Sequence, residues 1–249
     1  MLDIEIGRSG RIARIGVFLG VAAMCAAAGQ ARAYEGGAVS NGGTIAGHVK
    51  YKGTPPPRQK LEINKDKEVC AVGGDHLSKD LVVGPDGGIQ YAVVSIPNIE
   101  KGKPFDETKP VLDQKGCEYV PHVLLVPAGQ PVEIKNSDGI LHNIHTYSKE
   151  NPPVNRAQPK FKKTMTETWA KPEMVRLTCD VHGWMAGWLA VEANPYYAVT
   201  DEHGAFKLTD VPAGDYELKV WHSKLGETTQ KVTVKPGAET TVTFELEGK

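Results

Sequence analysis

The sequence predicts an all-β chain of two β-sandwiches, on three observations. No segment after residue 33 keeps a helical period over three or more turns. What recurs is short alternating or β-branched runs, the pattern of half-buried strands. Glycine, proline, asparagine and aspartate bound those runs, and 27 glycines and 17 prolines in 249 residues supply the punctuation.

Residues 1–33 read as an export signal. Arg8, Arg11 and Arg14 precede an apolar run from Ile15 to Ala28, and Ala31-Arg32-Ala33 is a small-x-small cleavage site before Tyr34. The run is too short to span a bilayer comfortably, and nothing later is long and apolar enough to do so. No paired arginines precede it, which favours the general secretion route. The expectation is a processed chain in the bacterial periplasm that does not span the membrane. A retained N-terminal anchor is the competing reading.

Residues 34–79 form an N-terminal extension. Its strand, Thr44 to Tyr51, stops at Gly53 and Pro55-Pro56-Pro57 and is free to add to the C-terminal sandwich. Residues 80–192 are the first sandwich domain, opening with Leu81 to Val83, a turn at 84–88 and Ile89 to Ile96. Tyr119 to Val126 and Val132 to Lys135 follow, joined by the turn Pro127-Ala128-Gly129-Gln130. Asn136-Ser137-Asp138-Gly139 is a second turn, delivering the chain to a strand from His142 to Tyr147. Residues 148–163 are polar and proline-punctuated, and read as a long excursion. Val175 to Cys179 alternates, a loop runs through Met185, and Trp188 to Val191 closes the domain. Composition changes after Asn194-Pro195, so residues 193–249 are a second, smaller sandwich. That piece is short for an independent core and is expected to pack on the first domain or to recruit the N-terminal strand.

The net charge is −1 at pH 7. With no basic block or charged tail, nucleic acid is excluded as a partner class. Of four cysteines, Cys25 lies in the export signal and Cys70, Cys117 and Cys179 remain. An odd count in an oxidising compartment requires an explanation. Pairing Cys70 with Cys117 closes a loop of about 48 residues, worth roughly 4 kcal/mol in the chain-entropy model, and leaves Cys179 reduced. A Cys117–Cys179 bridge is the alternative.

The chemistry concentrates in Cys179-Asp180-Val181-His182-Gly183-Trp184-Met185, taken with Leu141-His142-Asn143 upstream. These stretches supply one thiolate, two imidazoles and one thioether. Soft sulfur donors favour copper over magnesium, calcium or manganese, and two imidazoles with a thiolate and a weak axial methionine make a blue-copper ligand set. His142, Cys179, His182 and Met185 are therefore the candidate metal ligands. Asn143 is placed to tie the cysteine loop to the ligand strand. His145 is an odd number of residues from His142 and points to the opposite face. His122, beside Pro121, reads as structural, with a fifth contact as its alternative. His48, His76, His203 and His222 show no ligand spacing and read as surface residues. Trp184 and Trp188 are placed for core packing and for shielding a metal from water.

His142-Asn143 after Asn136-Ser137-Asp138, followed by Cys179-x-x-His182-x-x-Met185, resembles the cupredoxins, and the short final loop looks most like that of amicyanin. Tyr119-x-Pro121 and the stretch Val126 to Val132 are similar to the entry strands of plastocyanin-like domains. The resemblance spans about residues 80–192 and implies a cupredoxin-like Greek-key β-sandwich. Residues 196–222, with T-D-x-x-G-x-F and D-V-P-x-G-x-Y, look like a carboxypeptidase-regulatory-type β-sandwich. The combination resembles proteins labelled methylamine-utilisation-type. It implies one mononuclear copper ion and a one-electron carrier rather than an enzyme, with a cytochrome c or a periplasmic dehydrogenase as redox partner. Copper handling or resistance without electron transfer is one alternative, and a metal-free β-sandwich interaction module is another. A Cys–His hydrolase fits poorly, because Cys179 and His182 share one loop and nothing marks an oxyanion hole.

Overall fold

A computed structural model describes residues 34–248, so the export-signal reading of residues 1–33 lies outside the described residues. The chain is all-β: among the described residues the one helix is the single turn Lys67–Cys70. None of them forms a helix long and apolar enough to cross a membrane.

Two pairs of sheets make two sandwiches. In the first, a four-stranded sheet runs Thr164–Thr168, Pro131–Asn136, Val111–Gln114, Tyr119–Val120. It faces a five-stranded sheet of Asn155–Gln158, His142–Tyr147, Glu173–Thr178, Ala186–Glu192 and Val123–Pro127. Alternation dictates which side faces in. Along Pro131–Asn136, Val132, Ile134 and Asn136 are buried while Glu133 and Lys135 are partly exposed. Ile134 meets Leu112 on one side and Met165 on the other. With Ile144, Leu177, Leu189 and the fully buried Trp169 they form one core.

Asn155–Gln158 and Thr164–Thr168 are strands within and just after the stretch 148–163 that reads as a polar excursion. Both are edge strands, mostly exposed, so neither shows a buried apolar set. Register carries them instead: Asn155–Gln158 pairs antiparallel with His142–His145.

The second sandwich pairs a four-stranded sheet of Tyr197–Val199, Val93–Ser95, Gly214–His222 and Gly226–Val234 with a three-stranded one. In that smaller sheet Gly43–Tyr51 is central, antiparallel to Ala205–Val211 and parallel to Glu239–Leu246. Val93–Ser95, within the stretch 80–192, is hydrogen-bonded into the second sandwich. The reason is that both of its faces are covered. Val94 enters the second core, while Val93 packs with Val123 and Ala190 of the first sandwich. A continuous apolar run of this kind fits either core, and only its distant partners decide between them.

The pairing Cys70–Cys117 is present, at a sequence separation of 47, and Cys179 is a free, buried thiol. The alternative Cys117–Cys179 bridge is thereby excluded.

The junction of the sandwiches is aromatic. Trp188 and Trp221 meet edge to face at 4.8 Å, and Tyr91 meets the His122 ring at 4.9 Å. His122 and His222 are buried there, which corrects the surface reading of His222: the junction of the two sandwiches covers it. Burial, with the charge of Lys79, pulls His122 down to about 4. Burial, with His122 itself, does the same for His222. Both groups must gain a proton on acidification that the unfolded chain accepts near 6.5. Depressed values of this kind confer stability above pH 6.5 that is lost as pH falls towards 4. The loss is on the order of 3 kcal/mol for each histidine. Urea midpoints measured between pH 7 and 4.5 are expected to fall steadily, and His222→Asn to flatten that slope. A midpoint independent of pH over this window would contradict the assignment.

Candidate metal centre

The loop bearing the sulfurs is defined by its flanking strands. Thr178 and Ala186 face each other across an antiparallel pair, so residues 179–185 must close tightly between them. The turn is fastened by the Met185 amide, which donates to the His182 carbonyl at 2.9 Å. His142 opens the neighbouring strand, whose pairing of His145 with Thr178 brings its start alongside the loop. Asn143 secures this approach. Its Oδ1 accepts from the Asp180 amide at 2.5 Å, and its Nδ2 donates to Asn155 Oδ1 at 2.7 Å. The buried Tyr119 hydroxyl lies 2.6 Å from the Asn143 carbonyl and 2.8 Å from that of Thr178, beside a ligand candidate on each strand.

Three donors converge as a result. His142 Nδ1 and His182 Nδ1 are 3.0 Å apart, and Cys179 Sγ is 3.8 Å from His182 Nδ1. Ligand atoms of all three residues lie within 4.8 Å of one another, and all three are buried. A cation bound at ~2.0–2.1 Å from nitrogen and ~2.3 Å from sulfur needs donors roughly 3–4 Å apart. The His142–His182 and Cys179–His182 separations fall in that range. Met185 is 1% exposed, belongs to the same core as Cys179, and walls a cavity of about 30 Å³ with Tyr119, His122 and Trp184. The Trp184 ring tilts over His182 at 5.1 Å.

Each imidazole is also held from behind. His142 Nε2 is 2.8 Å from Asp138 Oδ2, and His182 Nε2 is 2.8 Å from Asp66 Oδ2. A carboxylate accepts only, so it fixes the proton on Nε2 and frees Nδ1 for the centre. Asp138 is itself held by the amides of Gly116 at 2.6 Å and Cys117 at 2.8 Å. Cys117, Asp138 and His142 form a second close group, but the Cys117 sulfur is committed to the disulfide.

The electrostatics favour a thiolate. Burial pushes the Cys179 thiol up, but His142 and the amides of Asn143, His182 and Val181 outweigh it and bring it below its ordinary value. Burial pulls His142 down, yet Asp138 and Cys179 prevail and raise it to about 9. His182 goes the other way, lowered by burial and by His142 against the pull of Asp66.

His145 stands apart from the donors. It is partly exposed, with Nδ1 2.8 Å from Asp180 Oδ1 and its ring stacked on Tyr147 at 4.7 Å. His122 lines the cavity behind Met185 but is outside the donor group. Sequence reasoning missed Asp66, Asp138 and Tyr119. Asp138 read only as a turn former, and nothing local marks Asp66, which is 116 residues from its histidine.

Residues 190–247 match the carboxypeptidase regulatory-like domain family. No curated protein matches the chain. Among solved structures, a copper-containing nitrite reductase from Thermus scotoductus SA-01 is similar at 22% identity and a TM-score of 0.31, over 36% of this chain. The chain spans only 23% of that enzyme. A methionine-to-alanine variant of amicyanin in its Cu(I) state is similar at 20% identity and a TM-score of 0.31, over 35% of this chain and 85% of amicyanin. An oxidised proline-to-glycine variant gives 18% identity and a TM-score of 0.31 over 46% and 94%.

Proposed function

We propose that the chain is a periplasmic type 1 copper protein that carries single electrons between redox proteins. One observation supports this above all: buried donors from Cys179, His142 and His182 lie within 4.8 Å, and the buried Met185 ends the loop that carries Cys179 and His182. A bound copper ion supplies a one-electron couple. Thiolate and imidazole also suit zinc, but a thioether beside them favours copper. Cys179 would hold the ion as thiolate, and His142 and His182 would hold it through Nδ1. Met185 would supply the thioether donor. Two β-sheets and the hydrogen bonds of Asn143 and Tyr119 hold these side chains before metal arrives, which keeps rearrangement between oxidation states small. Four protein ligands leave no coordination position for a substrate, so the chain is read as a carrier and not an enzyme. A cytochrome c or a periplasmic dehydrogenase is the partner class.

A copper-handling role is the second reading, and burial of all three donors weighs against it, because release needs an accessible site. The match of residues 190–247 fits an interaction role for that segment. Cupric ion added to the purified processed protein is expected to give an intense visible charge-transfer band, a type 1 electron-spin-resonance spectrum and reversible one-electron cycling. Colourless cuprous binding with ready release would favour handling. No binding of either ion would leave only the interaction module.

A further inference from the structure

The segment before the first sandwich domain contributes to the centre. We propose that Asp66, carried in by the N-terminal extension, and Asp138 are paired positioning residues that bias the site towards the cupric state. The proposal rests on the copper reading above. It follows from three features of the geometry.

First, both carboxylates sit 2.8 Å behind the imidazole nitrogen that faces away from the donors, one for each histidine. Hydrogen bonding to a carboxylate makes an imidazole a more basic ligand and locks its ring plane. A more basic ligand stabilises the more highly charged ion. With the thiolate, the two carboxylates place three formal negative charges around the cation. Every one of those charges favours the cupric over the cuprous form.

Second, the approach of Asp66 is built rather than incidental. Asp66 starts the single turn Lys67–Cys70 with a left-handed backbone (φ 46) and makes no side-chain capping bond, so its carboxylate is left for His182. Cys70, at the end of that turn, is bonded to Cys117. The Cys117 amide in turn donates to Asp138. One covalent link therefore joins the supports of both carboxylates.

Third, Asp66 and Trp184 together cover the outer edge of His182, which is itself fully buried. Direct contact between that imidazole and a partner protein is thereby blocked.

The test compares wild type with Asp66→Asn, Asp138→Asn and Asp66→Ala, each loaded with copper. Asparagine tolerates the left-handed backbone and keeps an oxygen acceptor, so Asp66→Asn removes charge while sparing the fold. Loss of such a hydrogen-bond partner costs roughly 10–100-fold in metal affinity. If the tenfold end falls on the cupric form alone, the reduction potential rises by about 59 mV for one electron. Asp66→Asn and Asp138→Asn are each expected to raise the potential and weaken cupric more than cuprous binding, with the visible band retained. Asp66→Ala, which also frees the ring, is expected to broaden the spin-resonance spectrum. A merely structural role would lower stability without moving the potential. If wild type shows the band and neither asparagine variant shifts the potential, the proposal is overturned and the copper reading survives. A wild-type protein with no band overturns both.

Discussion

Cys179→Ser is expected to abolish the visible charge-transfer band and to weaken copper binding by more than the roughly 100-fold that loss of a ligand's hydrogen-bond partner can cost. The band requires a sulfur ligand, and Cys179 is the free thiol among the described residues. Serine is close to isosteric, and its hydroxyl can accept from the amides of Asn143, Val181 and His182 that otherwise serve the sulfur. Few buried donors are then orphaned, so the metal-free variant should unfold within about 1 kcal/mol of wild type. That separation matters, because loss of the band without loss of stability assigns the effect to ligation. A variant that kept the band would remove the basis of the copper reading.

The ligand candidates were legible because their spacing is local. The C-x-x-H-x-x-M run lies between two strands that must turn back on themselves, and only the placing of His142 needed a long-range step. That step was readable too, since the turn ending at Gly139 delivers the chain to the strand His142–Tyr147. What escaped was set by contacts with no sequence period. Asp66 lies in a polar stretch where an acid ordinarily faces water, and its role appears only once the Cys70–Cys117 bond brings that stretch to His182. Asp138 satisfied the needs of a turn, which hid its bond to His142. Val93–Ser95 is apolar enough for any core, and its partners Tyr197–Val199 and Gly214–His222 lie a hundred or more residues on. Even so, the all-β class was visible throughout, because strand alternation and turn residues repeat along the chain.

Gly47→Ala is expected to damage the second sandwich severely. Gly47 lies in the central strand Gly43–Tyr51, in register with Phe206 on one side and Val242 on the other. A Cβ there would stand 1.8 Å from the Val242 carbonyl oxygen, 2.8 Å from its carbonyl carbon and 3.0 Å from the Phe206 ring. Two of these are backbone atoms, so no rotamer change relieves the clash. Glycine in a strand commonly marks such a close backbone approach. Overpacking that side chains can absorb costs about 1–3 kcal/mol, and a backbone obstruction between two paired strands belongs at or above the upper end. The displacement would reach Ile45 and Val49, which flank Gly47 on the same face and anchor the core. At about 3 kcal/mol the melting temperature should drop by roughly 6–12 °C for a chain of this size. Gly37→Ala is the matched control. A Cβ at that exposed position meets nothing within 4 Å, so the change should leave stability level or raise it by less than about 1 kcal/mol. Equal melting temperatures for the two variants would show that the sheet gives way at Gly47, and that this close approach is not what sets the spacing of the three strands.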